Sequence, residues 1–211
     1  MINTKENTIE ETEILEIKTF PSLKNNCFFE YVMPFEEAMM ILCEADRSII
    51  KYEPFIFKMV NINTHEIEKF PALVTESDEG LLYIILSDQL AANQKWGGAI
   101  RHQLQQFQSL PVYVALTATG YLTTDPLPLN LKFLYEFAIL PIEKKAFAKI
   151  QKILASVSQI SIGKLKKRVD VISIYQLLFH CALHTDLENE LINDDTIVTA
   201  SPIINSIIKS L

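Results

Sequence analysis

Two short apolar runs dominate the pattern of the chain. Phe70-Pro71-Ala72-Leu73-Val74 and Leu81-Leu82-Tyr83-Ile84-Ile85-Leu86-Ser87 are joined by the polar stretch Thr75-Glu76-Ser77-Asp78-Glu79-Gly80. Bulky apolar and aromatic runs on either side of an acidic, Gly-ended turn predict a β-hairpin. Upstream, the rough alternation of Ile14, Leu15, Ile17 and Phe20 predicts an edge strand. Pro21 to Asn26 then reads as a turn, and aromatic-rich Cys27 to Val32 as a second short strand.

Pro34 opens a helix at a first-turn position, where a missing N–H costs nothing. Glu36 and Glu37 follow, favourable against the helix dipole, and Phe35, Met39, Leu42 and Cys43 fall on one face. The helix is expected to end near Asp46. Ser48 to Phe57 is strand-like, with Pro54 marking an edge or a bulge, and Asn61 to His65 is a turn. After the central hairpin, Asp88 to Phe107 has helical period (Leu90, Ile100, Leu104, Phe107), with Gly97-Gly98 as an interruption. Pro111 to Leu116 is a compact apolar strand, and Thr119-Gly120 a turn.

Asp125-Pro126-Leu127-Pro128-Leu129 reads as a linker, because two prolines one residue apart resist helix and sheet alike. Beyond it the pattern is helical, over 130–138, 143–157, 161–168 and 171–184. The turn Asn193-Asp194-Asp195 and the β-prone run Thr196-Ile197-Val198-Thr199 follow. Helices in that order before a small strand predict a winged-helix-like module. The tail Ile203, Ile204, Ile207, Ile208 and Leu211 is an apolar stripe, expected to dock on its own domain or to bind protein. The whole reads as an α/β chain in two parts. Residues 1–128 form a mixed sheet flanked by helices, and residues 129–211 a small helical, winged-helix-like domain.

Composition narrows the class. At 211 residues, 49% apolar and with 5 glycines, the chain can bury a sizeable core. A net charge of -7 argues against indiscriminate nucleic-acid binding while leaving room for a local basic patch. Cys27, Cys43 and Cys181 form no CxxC, which points to a reducing compartment. The polar, acidic stretch Met1 to Glu16 has no signal-peptide pattern, and no apolar window is long enough to span a bilayer. A cytoplasmic protein without a membrane partner is expected.

Several segments, in order, resemble TnsA-type transposon endonucleases of the PD-(D/E)XK, restriction-endonuclease-like class. Phe20-Pro21-Ser22-Leu23-Lys24-Asn25 resembles the family's entry segment. Glu36 with Glu44-Ala45-Asp46 resembles the helix that supplies its first acidic residue. Ile50-Lys51-Tyr52-Glu53-Pro54-Phe55 resembles a strand usually written with Gln-Pro-Phe, with Glu53 in place of Gln. Phe70-Pro71-Ala72-Leu73-Val74 resembles Thr-Pro-Asp-Phe-Leu-Val, and Ile84-Ile85-Leu86-Ser87 falls where the family has Val-Glu-Val-Lys. Asn130 to Leu134 and Asp194 to Val198 resemble parts of its C-terminal domain. The resemblance implies a restriction-endonuclease-like mixed sheet plus a helical C-terminal domain.

The departures bear on chemistry. Against that pattern the metal-binding Asp is Ala72, the second acidic residue is Ile85 and the Lys is Ser87; of the usual set only Glu36 remains. Hydrolysis by this fold needs hard oxygen ligands around a divalent cation that activates water. The implied expectation is a catalytically inactive homologue with no cofactor, acting as a DNA-binding or complex-assembly subunit in DNA transposition. A transposase or an ATPase regulator would be its partner. The alternative is an active Mg²⁺-dependent endonuclease whose ligands have moved to Asp88, Glu76, Asp78, Lys95 or His102. A third reading is a protein-interaction module with no nucleic-acid role.

Other signals have duller readings beside them. His180 and His184 at i, i+4 match a zinc-ligand spacing, and equally a helix end. Lys144, Lys145, Lys149, Lys152, Lys164, Lys166, Lys167 and Arg168 concentrate positive charge suited to phosphates, and equally to a solvated helix face. The expected recognition helix, Val171 to His184, lacks the side chains that read base edges and looks like core or a protein interface. Gln103, Gln105, Gln106 and Gln108 could line a groove or a polar helix face. Trp96 beside Gly97-Gly98 carries no conclusion.

Overall fold

The computed structural model describes residues 16–60, 65–93, 95–141 and 143–201. The expected tail helix, the first fifteen residues and the Asn61–Thr64 part of a turn lie outside the described residues. β1 (Lys18–Ser22) and β2 (Cys27–Tyr31) form an antiparallel hairpin, with Ser22 opposite Cys27. Asn26 takes the left-handed conformation in its turn (φ 51°), which Asn tolerates because its short side chain bonds locally. The Ser22 hydroxyl accepts from the Asn25 backbone N–H and side-chain amide (3.1 and 2.8 Å). Pro21, expected in the turn, is inside β1. A two-stranded ladder leaves one side of each strand free of hydrogen bonds, so its missing N–H is tolerated.

α1 (Pro34–Ala45) begins at the predicted proline, and its buried face holds Ala38, Met40, Ile41, Cys43 and Glu44. β3 (Ile49–Val60), β4 (Ile67–Ser77) and β5 (Gly80–Leu86) then form an antiparallel meander. The predicted central hairpin is β4–β5. Gly80 closes its turn at φ +136°, and a Cβ there would run into the Pro111 carbonyl, whose oxygen accepts the Leu81 N–H (2.9 Å). Only glycine fits this backbone at that distance.

The single helix expected over 88–107 is two: α2 (Asp88–Ala91) and α3 (Lys95–Gln105). The break falls before Trp96, and Gly97-Gly98 lie within α3. Together these helices carry the chain across to β6 (Val112–Thr117), which pairs parallel with β5. Parallel pairing needs such a crossover. The sheet order is β3-β4-β5-β6, a four-stranded mixed sheet flanked by helices. Strand alternation divides its side chains. Phe70, Ala72 and Ile85 join Leu90 and Ile100 in one apolar cluster; Leu73, Ile84 and Leu86 join Met40 and Ile41 of α1 in a larger core.

α4 (Tyr121–Thr124) leads into α5 (Pro126–Ala138). The expected linker is therefore the first turn of a helix. Its prolines stand where N–H groups have no partner within the helix, so they start α5 rather than block it. α6 (Lys144–Ser156), β7 (Ile160–Ser161), α7 (Ile162–Lys166) and α8 (Val171–Phe179) follow, then β8 (Leu183–His184) and β9 (Ile197–Ala200). The three short strands pair antiparallel in the order β7-β9-β8. α8 stops at Phe179. His180 lies in the turn and His184 on β8, so the two histidines do not share a helix face.

α5 packs against both α1 and α8. Tyr135 stacks on Phe20 (centroids 5.0 Å apart, planes 11° apart) and meets Phe179 at 5.3 Å. Leu131, Leu134 and Ala138 share one core with Met40 and Ile41 on one side and Ile174 and Leu177 on the other. Buried Asn130 fastens the segment before β9: its amide donates to the Leu187 and Glu190 carbonyls (2.9 and 2.7 Å), and its carbonyl accepts the Ile192 N–H (2.9 Å).

Candidate functional site

Ala72 and Ile85 are partners across the β4–β5 ladder and are 2% and 0% exposed. Phe70, Leu90 and Ile100 bury them, with Phe55, Phe57 and Leu104 packed alongside. Neither side chain offers an oxygen to a cation, and the surrounding apolar packing excludes the water a hydrated Mg²⁺ would keep. Ser87 caps α2: its hydroxyl accepts the Leu90 N–H at 3.2 Å. The Glu36 carboxylate accepts the N–H groups of Val32 and Met33 (3.1 and 2.8 Å), holding the chain entry to α1. The residues at these four positions do not fit a divalent cation. Among the described residues, no three His, Cys, Asp or Glu side chains come together as a metal-ligand group.

Three of the five residues considered for a displaced centre have other partners. Asp88 accepts the backbone N–H and hydroxyl of Thr119 (2.7 and 2.8 Å), and the Thr119 hydroxyl foremost holds its pKa below the usual value. Glu76 pairs with Lys51 at 3.0 Å. His102 lies 3.4 Å from the Gln106 amide, Asp78 sits in the β4–β5 turn, and Lys95 opens α3. Two of the four glutamines are structural. The Gln105 side-chain carbonyl accepts the Val112 N–H (2.9 Å) while its amide donates to the Leu110 carbonyl (3.0 Å). Gln108 donates to the Tyr83 hydroxyl at 3.0 Å.

A buried polar cluster lies where three of the resembling segments meet. The Glu44 carboxylate accepts the Ser22 hydroxyl at 2.6 Å, the Tyr52 hydroxyl at 2.7 Å and the Lys24 backbone N–H at 3.1 Å. The Lys24 ammonium donates to the Ile49 carbonyl at 2.6 Å and also to that of Asp46. Burial lowers the Lys24 pKa and pushes that of Tyr52 far above the ordinary phenol value. Tyr135 of α5 donates to the Pro21 carbonyl close by. Sequence reasoning missed this cluster. The available signal was Glu44, four residues after buried Met40 on the core face of α1. A carboxylate at such a position requires donors.

Beside it a cleft of about 450 Å³ is lined by Asn25, Lys51, Glu53, Glu76, Tyr83 and Gln108, among others. It lies toward the turn end of the β4–β5 hairpin, next to the Val74–Tyr83 pair and two residues along from Ala72–Ile85.

The basic residues are placed differently from one another. Lys144, Lys145, Lys149, Lys152, Lys164, Lys167 and Arg168 are exposed. Lys166 is engaged, 2.7 Å from the Asp194 carboxylate and 5.3 Å from the Tyr175 ring centre. α8 is not available as a reading helix, because every side chain from Ser173 to Phe179 is buried. The Gln176 amide donates to the Phe137 and Leu140 carbonyls (3.1 and 2.9 Å) at the end of α5.

Among the described residues no helix is long and apolar enough to cross a membrane. No protein-family model matches the chain, and no curated protein matches it.

Proposed function

We propose that the chain is a non-catalytic relative of the TnsA-type endonucleases that acts as a DNA-binding or complex-assembly subunit. The observation that carries the reading is the pair Ala72 and Ile85. Both stand where the resemblance aligns acidic ligands, and both are sealed in an apolar cluster. The mixed sheet flanked by helices supports the restriction-endonuclease-like assignment. The helices α6 to α8 with the small β7-β9-β8 sheet support a winged-helix-like C-terminal part. A scaffold that has lost its ligands keeps its surfaces, since site and fold are separable.

Titration calorimetry with Mg²⁺ and Mn²⁺, alongside plasmid nicking and a DNA gel shift at rising salt, tests the reading. The expected result is no metal binding, no nicking, and a DNA complex that weakens with salt. Metal-dependent nicking would instead favour a displaced centre. The burial of α8 removes the expected DNA-reading helix, and failure to shift DNA at low salt would move the assignment to a protein-interaction module.

A further inference from the structure

Charge is divided unevenly along the chain. Eight of its 19 Lys and Arg residues fall between 144 and 168, a stretch without a single Asp or Glu. The other eleven are set against all 26 acidic residues. Lys145, Lys149 and Lys152 recur at i, i+4 and i+7, so they form one stripe along α6. The opposite face, with Phe147, Ile150 and Leu154, is buried in the core. Lys164, Lys167 and Arg168 are three further exposed cations on and just past α7. Among the described residues none of these six makes an ion pair, whereas Lys166 does. A row of unpaired ammonium groups is the footprint of a polyanion with regularly spaced charge, such as the phosphates of a DNA duplex. The acidic remainder repels that polyanion and favours contact at these cations.

α8, the helix expected to read the DNA, has no means of reading sequence. Base edges are read by Arg, Asn and Gln side chains presented in a groove. α8 presents none: its one such residue, Gln176, is fully buried with its amide committed to α5 carbonyls. We infer that α6 and the end of α7 grip the phosphate backbone of duplex DNA without sequence readout, and that α8 stays in the core of the complex. The inference rests on the DNA-binding reading above and specifies how DNA is held.

The test is fluorescence anisotropy with two unrelated duplexes of equal length, on the full chain and on the K145A/K149A/K152A variant, across a salt series. Equal affinity for both duplexes is expected. The slope of log K against log salt should become shallower by about 0.9 for each contacting lysine removed. Arginine at the same three positions should restore it. If the triple variant does not melt cooperatively, K149A alone should lower the slope by about 0.9. DNA binding with an unchanged slope, or a tenfold preference between the duplexes, overturns this inference and leaves the DNA-binding reading standing. No binding of either duplex by the unaltered chain overturns both.

Discussion

Ala72 and Ile85 face each other across the central hairpin with no solvent at either side chain. A carboxylate introduced here meets only Phe70, Leu90, Ile100 and their apolar neighbours. A72D is therefore expected to destabilise the fold, by on the order of 3 kcal/mol at neutral pH. Such an acid has its folded pKa raised, so the deficit against the unaltered chain should shrink as pH falls toward 4. Urea unfolding at the two pH values measures both effects. Metal-dependent DNA cleavage is not expected of this variant, because a cation would find one carboxylate among apolar side chains.

The Glu44 cluster ties three segments together, and its parts should not be independent. Y52F removes one hydrogen bond to a charged acceptor and is expected to cost about 2 kcal/mol. E44A leaves the Ser22 and Tyr52 hydroxyls buried without their acceptor, and should cost about 3 kcal/mol or more. The double variant should cost clearly less than the sum, and a denaturation cycle over the four proteins gives the coupling.

Of the five glycines, Gly80 is the least tolerant of a side chain. G80A combines a positive φ with a collision against the Pro111 carbonyl. A loss of at least about 2 kcal/mol is expected, seen as a lowered melting temperature. G98A makes the contrast: nothing stands near its added methyl, and a helical alanine should gain up to about 1 kcal/mol.

The three thiols should separate by reactivity. Cys27 and Cys181 are exposed, while burial pushes the Cys43 thiol up to about 12. A thiol-specific chromogenic reagent at pH 8 should label two cysteines in the native protein and the third only on adding denaturant.

Acid should weaken the fold through His180. Burial, with the Arg47 guanidinium adding to it, lowers the ring's pKa from 6.5. The unfolded chain then binds the proton more readily than the folded one, so stability is full above 6.5 and declines as pH falls through the lowered folded value. Unfolding midpoints at pH 7.5 and 5.5 should differ in that direction, and H180N should reduce the difference.

How legible this was depended on whether local chemistry and tertiary packing agreed. The β4–β5 hairpin, α1 and α6 were readable because periodicity, Pro34 and the glycine-ended turn all pointed one way. The segment 125–129 was misread because its prolines were weighed as breakers. The rule that explains Pro34 at the start of α1 also explains Pro126 and Pro128 at the start of α5. The long helix expected over 88–107 gave way because Ser87 caps one turn and a second helix starts at Lys95. The 171–184 helix was overdrawn: beyond Phe179 the chain turns through Cys181 at φ 52° so that Leu183 and His184 can pair with β9. At positions 72 and 85 the apolar character was visible in the residues, and the structure buries both. The Glu44 cluster was not visible, because its donors come from segments that only the fold brings together.

The position of Glu36 has a consequence for genetics. A strain carrying an alanine there would lose two main-chain hydrogen bonds at the entrance to α1, and would score as defective whether or not the residue ever met a metal. Such a phenotype reports protein abundance, not chemistry. Glutamine keeps an oxygen that can accept both bonds and removes only the charge. E36Q should therefore look like the wild type, and it is the allele to compare with the alanine.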